Sequence, residues 1–240
     1  MMIKTKPKSD FLSGFMSGVP IGLGYLSVSF TFGIMSVKAG LPIWAAVLIS
    51  MTNLTSAGQF AAVPLIAVSG SLFELALTQL VINIRYSLMS LSLSQKFDSS
   101  VTVLDRFIIA FGNTDEIFGV ASSQKNDVSK KFMYGLMIMP FLCWTGGTFL
   151  GAVASEILPF YLQTALGIAI YGMFIAIIIP AAKVVKPVLY VIVIATVISC
   201  AFKWIPFLST ISSGFVIIVS GVISSAIIAK LFPVKEESTQ

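Results

Sequence analysis

Apolar residues run along this chain in long unbroken blocks rather than in alternation. Phe11 to Val37, Ala39 to Phe73, Met133 to Ser155, Ile157 to Ala182, Val188 to Phe202 and Trp204 to Ala229 contain no Asp, Glu, Lys or Arg. Most of these runs reach the roughly 20 residues that a helix needs to cross about 30 Å of hydrocarbon. The period-2 alternation of a membrane barrel strand is missing. The pattern predicts an all-α integral membrane protein of about eight transmembrane helices (six to eight), a single polytopic domain over 1–240. The spans fall at 11–37, 43–68, 72–94, 107–123, 132–154, 161–182, 187–206 and 207–229. The first stretch, behind Lys4, Lys6 and Lys8, is too long for the apolar core of a secretory signal and is read as a span.

Polar residues interrupt these blocks at four places. In the first span Gly14, Gly18, Pro20, Gly22 and Gly24 cluster together. One reading is a helix broken at Pro20 and Gly22, whose freed backbone groups bind a polar solute and whose half-helix N-terminus favours a carboxylate. The other is packing, since glycines four apart let a neighbouring helix approach closely. The second interruption is Thr52 to Gln59, where Gly58 and Gln59 either bridge helices or coordinate a solute's charged ends.

The third interruption puts Asn83 and Arg85 near the centre of the third span. A guanidinium at that depth costs about 2.5 kcal/mol or more on insertion scales and requires a carboxylate or a polar cavity. Asp115 and Glu116 are the available carboxylates. They stand in the middle of the short fourth segment, 107–123, which either crosses or dips inward as a polar loop. Carboxylates so placed can take up and release a proton as access alternates, and so couple transport to a proton gradient. Glu74 and Glu156 fall at span ends and are expected to be interfacial.

Charge then orients the spans. With eight crossings, Lys125, Lys130, Lys131, Lys183, Lys186, Lys230 and Lys235 join Lys4, Lys6 and Lys8 on one side, leaving Lys38, Lys96, Arg106 and Lys203 on the other. Positive residues concentrate in cytoplasmic loops, which predicts that both termini are cytoplasmic. An internal echo links Phe32-Gly33, Pro42 and Pro64 to Leu150-Gly151, Pro159 and Pro180, as expected of repeats over 11–94 and 132–206. Trp44, Tyr161, Tyr190 and Trp204 fit an interfacial aromatic belt.

Composition narrows the chemistry. Hydrophobic residues make up 57% and charged residues 10%, against roughly 25% charged in soluble domains, so the chain cannot cover a water-facing surface. There is no histidine, and Cys143 and Cys200 both lie inside apolar runs. No metal site, cofactor or catalytic triad is therefore expected. Asp115 and Glu116 are sequence neighbours, about 100° apart on a helix, which argues against a paired catalytic face and an enzyme. The net charge of +5 is distributed as a topology signal, not as a nucleic-acid surface.

The polar segments also form an ordered set. Pro20-Ile-Gly-Leu-Gly-Tyr25 with Phe32-Gly33, then Ser56-Ala-Gly-Gln-Phe60, then Asn83-Ile-Arg85 with Ser87-Leu-Met-Ser90, then Thr114-Asp-Glu116, resembles the AzlC family of branched-chain amino acid permeases. The resemblance covers the first 125 residues or so by motif, and the rest by length and hydropathy. It implies the large subunit of an exporter in the bacterial cytoplasmic (inner) membrane, moving leucine, isoleucine, valine and sometimes methionine outward beside a small AzlD-like membrane subunit. By motif it points to Ala57 to Phe60, Asn83 and Arg85, and Asp115 and Glu116. Tyr86 stands where many relatives have histidine, which loosens the substrate assignment. With the first-span cluster, the candidate binding and coupling residues are Pro20, Gly22, Gly58, Gln59, Asn83, Arg85, Asp115 and Glu116. The rival readings are a channel and a structural membrane subunit for another small solute.

Overall fold

Close backbone contact between two long helices organises the first half of the molecule. In the computed structural model, which describes residues 10–159, 161, 175, 179 and 182–233, α1 (Asp10–Lys38) runs unbroken through Pro20. Of the two readings of this cluster, packing holds and a break at Pro20 and Gly22 does not occur. Pro20 lies on an exposed face, while Gly14, Gly18, Gly22 and Gly33 are buried against a later helix, Lys130–Ile157. A proline removes one backbone bond and bends a helix, and here packing along the rest of the helix carries it through.

The two helices run parallel. Gly14 meets Phe132, Gly18 meets Leu136, and Gly33 meets Thr148 and Ala152. A Cβ on Gly33 would collide with the Thr148 carbonyl oxygen, and one on Gly151 with that of Phe30. These two contacts are mirror images: exchanging Gly33 with Gly151 and Phe30 with Thr148 turns one into the other.

The second predicted span, 43–68, does not cross as one helix. It is split into α2 (Ile43–Thr52) and α3 (Ala57–Ala67). Between them Asn53 is extended (φ −148°, ψ 107°) and Ser56 is left-handed (φ 44°). Gln59 Nε2 donates to Ser50 Oγ at 3.1 Å. Residues nine apart on a straight helix would be separated by about 13.5 Å of rise, so the chain has doubled back.

The fourth segment doubles back as well. After α4 (Leu72–Ser94) come α5 (Val103–Gly112) and α6 (Asp115–Ser122), then α7 (Lys130–Ile157). The loops before α5 and after α6 are tied together: the Val128 N–H donates to the Lys96 carbonyl (2.8 Å), the Asp98 N–H to the Val128 carbonyl (3.1 Å), and the Lys96 ammonium to the Ser122 carbonyl. The segment therefore enters and leaves at one end. It shares that end with the start of α1, where Ser129 donates to Asp10 (2.9 Å). Because 43–68 and 107–123 both return, α7 keeps the direction of α1. Lys96 and Arg106, expected opposite Lys125, Lys130 and Lys131, instead share their end.

These elements form one compact unit, Met1–Val63 with Asn83–Gly167. The second unit comprises Pro64–Ile82 and Ile168–Gln240. In it α8 (Lys186–Trp204) packs on α9 (Ser213–Leu231). Glu74, expected at an interface, is buried at the start of α9, where its carboxylate accepts from the Ser212 hydroxyl and the Gly214 N–H (3.1 Å). A carboxylate there satisfies an orphan helix donor and complements the positive end of the helix. Glu156 is exposed in the last turn of α7. Among the described residues α1, α7, α8 and α9 are long and apolar enough to cross a membrane. The sixth predicted span, 161–182, lies almost wholly outside the described residues, as do Lys4, Lys6, Lys8, Pro180 and the tail from Lys235.

Two consequences can be measured. Gly33→Leu drives a side chain into the α7 backbone, whereas Gly24 faces open space. Denaturant unfolding in detergent is expected to show a loss of about 1–3 kcal/mol or more for the first and little change for Gly24→Leu. At the loop end of α5, the Asp105 carboxyl is held well below the usual carboxylate range by the Tyr134 hydroxyl (2.5 Å), then by Thr102 through hydroxyl and backbone donors, with Lys130 nearby at 3.7 Å. A depressed value stabilises the fold above the unfolded value of about 3.9, and that stability is lost as pH falls through the folded value. The acid limb of a pH–stability profile should flatten in Asp105→Asn, with the difference between the two proteins shrinking only under strongly acid conditions.

Candidate functional site

Each doubled-back segment interrupts its helix at the turn, and the residues around the two turns are linked. At the α2–α3 turn, Gln59 is fully buried. Its Oε1 accepts from Trp144 Nε1–H (2.9 Å) and its Nε2 donates to Ser50 (3.1 Å). Thr148 donates to the Trp144 carbonyl (3.0 Å), which leaves Ser50 to donate to Thr148 (2.7 Å). A ring of Gln59, Ser50, Thr148 and Trp144 thereby fixes α2 and α3 on α7. Every polar side-chain group in it has a partner, as burial demands.

The Trp144 ring then meets Tyr25 of α1 edge to face, with centroids 5.2 Å apart. The Tyr25 hydroxyl lies 2.6 Å from the Thr114 hydroxyl and donates to the Glu116 carboxylate. Thr114 is the N-cap of α6 and accepts from the Ile117 N–H. A continuous path therefore joins the two helix turns through α7 and α1.

Arg85 completes the second turn. Its guanidinium pairs with Asp115, donates to the Tyr86 hydroxyl (3.2 Å) and lies 4.7 Å from the Tyr86 ring centroid. The paired side chains are 44% and 46% exposed, so the pair borders accessible space in this chain. Asn113, just before the turn, is buried and donates to Ser90 of α4 (3.2 Å), while its Oδ1 has no partner.

Of the residues expected from sequence, Gln59, Arg85, Asp115 and Glu116 sit in this assembly. Gly58 is buried beside Gln59, and Asn83 is half-buried two residues before Arg85. Asp115 reaches α4 and Glu116 reaches α1, so the acids diverge as adjacent helical residues should. Both stand in the first turn of α6 rather than midway along a span. Pro20 and Gly22 take no part: the first faces outward and the second packs on Met139 and Cys143. Sequence reasoning missed Tyr25, Ser50, Trp144 and Thr148. The available signal was an aromatic with a polar tip inside a charge-free run, since a buried indole N–H or phenol O–H seeks a partner.

The stretch from Pro20 in α1 to Leu158 after α7, which holds both doubled-back pairs and the path between them, matches the family described as AzlC protein over residues 20–158. The chain belongs to the AzlC family. It is 33% identical over 178 residues to a membrane protein of Archaeoglobus fulgidus, covering 72% of this chain and 76% of that one. It is also 28% identical over 175 residues to the inner membrane protein YgaZ of Escherichia coli K12, covering 70% and 71%. A Helicobacter pylori membrane protein is 28% identical over 161 residues, covering 64% of this chain and 70% of its own. No solved structure matches. This AzlC member is thus a membrane protein of a transport family.

Removing the indole donor in Trp144→Phe leaves the buried Gln59 Oε1 without a partner. The expected cost is about 1–3 kcal/mol, read as lowered thermal stability in detergent. Adding Gln59→Leu should recover part of it, because both polar partners are then gone.

Proposed function

We propose that this protein is a secondary transporter that exports the branched-chain amino acids leucine, isoleucine and valine, and also methionine, from the cytoplasm. The observation that carries this reading is the pair of doubled-back helices entering from opposite ends and joined through Gln59, Trp144, Tyr25 and Glu116. Discontinuous helices are how membrane carriers place polar backbone ends at depth. An amino acid brings a carboxylate, an ammonium and a side chain. For the carboxylate, positive potential is available at Arg85 and at the N-terminus of α3, whose first turn holds no acidic residue. Apolar walls favour an aliphatic side chain.

Coupling falls to the two acids. Asp115 ties α6 to Arg85 of α4 and Glu116 ties it to Tyr25 of α1, so loss of the negative charge at Asp115 breaks the ion pair that holds α6 to α4. That supplies a two-state element for alternating access driven by the proton gradient. The near-symmetric Gly33 and Gly151 contacts support duplicated halves over 11–94 and 132–206, a common basis for such carriers. Lys96, Arg106, Lys125, Lys130 and Lys131 gathered at the start of α1 favour a cytoplasmic N-terminus. A small AzlD-like subunit is the proposed partner in the inner membrane.

Efflux of preloaded labelled leucine, isoleucine and valine from bacterial cells, with the chain expressed alone and beside a candidate small subunit, tests the reading. Faster efflux than in cells lacking the chain is expected, reduced at least about tenfold by Arg85→Ala or Asp115→Asn, as for loss of a charged substrate contact. Unchanged efflux of all three, with protein verified in the membrane beside its partner, would overturn the substrate assignment.

A further inference from the structure

An open groove of about 400 Å³ runs between the end of α4 and α5, apolar along its length and cationic at one end. Leu91, Leu93, Phe97, Phe107 and Ala110 wall it. Leu91 is 63% exposed and Phe107 73%, so in a membrane protein this outward face meets hydrocarbon. From Arg106 the groove follows α5 to Asn113, roughly 10 Å of helix rise. At that inner end Ser90 and Asn113 are bonded to each other (3.2 Å), and nothing there calls for a charged group.

Arg106 and Ser94 border the other end. The guanidinium donates to the Ser94 carbonyl (3.2 Å), an orphan acceptor at the end of α4, and lies 5.3 Å from the Phe97 ring centroid. Phe97 is held in turn by its pairing with Val128. The cation is therefore positioned at the groove, with one of its five N–H donors spent. Nearby carboxylates are engaged elsewhere: Asp98 accepts from Ser100, and Asp105 from Tyr134 and Thr102. Arg106 forms no ion pair among the described residues.

We infer that this groove binds one anionic phospholipid, with an acyl chain along α5 and the phosphate on Arg106. The guanidinium fork matches a phosphate through two parallel bonds. Lys96, Lys125, Lys130 and Lys131 share that end of the unit, which favours a net negative headgroup over a zwitterion. The volume is a few times that of a benzene-sized cavity of about 150 Å³, on the scale of a single hydrocarbon chain. A wholly apolar occupant would leave the guanidinium facing hydrocarbon, and a soluble phosphate would leave the apolar walls empty. Because the groove ends at Asn113, next to the Thr114 cap of α6, a seated chain packs against the base of the α5–α6 turn. The site requires a bilayer and no particular substrate, so it stands or falls apart from the transport reading.

The test combines two measurements on the purified full-length protein, delipidated in detergent. The first is native mass spectrometry during titration with palmitoyl-oleoyl phosphatidylglycerol or the matching phosphatidylcholine. The second is photolabelling by a phosphatidylglycerol carrying a diazirine at the end of one acyl chain. Phosphatidylglycerol is expected to bind at least about fivefold more tightly, the scale of one basic residue facing anionic lipid, and the label to fall within residues 90–113. Arg106→Gln should remove the preference and Arg106→Lys retain part of it, while Ala110→Phe, which fills the groove, should reduce labelling there. Photolabelling of the unaltered protein locates the site even where a variant fails to fold. Excess glycerol 3-phosphate, a headgroup without a chain, should not compete. Equal binding of the two lipids, label spread evenly over the exposed helix faces, or competition by glycerol 3-phosphate would overturn the inference. So would displacement of the lipid by palmitate at equal concentration, which would make this a fatty-acid site. Labelling blocked by self-association of the chain would make the groove a protein interface, and the inference would fail.

Discussion

The backbone contact of α1 with α7 at Gly33 and Gly151 is the constraint on which the site depends. No side chain separates the helices there, so their relative height is set by steric collision, to which apolar burial contributes no register. That height places Tyr25 of α1 beside Trp144 of α7. Those two rings in turn connect turns that come from opposite ends of the unit, one through Gln59 and the other through Glu116. In lipid, apolar side chains gain little by facing one another rather than hydrocarbon, so helices associate where small residues permit close approach. The glycine pattern is therefore a positional device for the polar path as well as a packing motif.

Doubling back creates its own demand. A half-helix ending at depth leaves carbonyls at one end and N–H groups at the other, and hydrocarbon offers them nothing. The α5–α6 turn answers with Thr114 as N-cap and two acids in the first turn of α6, which load negative charge onto a positive helix end. Arg85 then balances one acid, and the Tyr25 hydroxyl solvates the other. The sequence of needs runs from backbone to cap, from cap to counter-ion, and from counter-ion to the position of Arg85 in an otherwise apolar helix.

Much of this was legible in the amino-acid sequence, and the limits are physical. Arg85 demanded a carboxylate, and only Asp115 and Glu116 stood at comparable depth, so the pair followed from cost alone. The glycines of α1 marked either packing or a break, and composition could not choose, because the choice depends on which face Pro20 occupies. Hydropathy could not reveal the reversal at Asn53 to Ser56, since an apolar run of about 25 residues satisfies one crossing or two half-helices equally well, and for the short segment with Asp115 and Glu116 it left crossing and dipping inward both open. The direction of α7 could not reveal the reversals either, since two reversals cancel and α7 keeps the direction it would have had after two crossings; only Lys96 and Arg106, which lie between the reversals, change ends.

Tyr25 and Trp144 were obscured for a different reason. Aromatics with a polar tip are expected at membrane interfaces, and nothing in the local sequence separates such an anchor from one whose tip is committed inside. What separates them is the company kept across the fold, with Gln59 and Glu116 far away in the chain. Polar positions read one at a time left open a first helix broken at Pro20. Taken together in space, they move the break to α3 and α6, where half-helix N-termini meet a buried glutamine on one side and paired acids on the other. A carrier needs its polar elements at turns that can shift, while the helices that hold register stay whole. Continuous α1 and α7 flanked by two doubled-back pairs satisfy both requirements with one set of glycines.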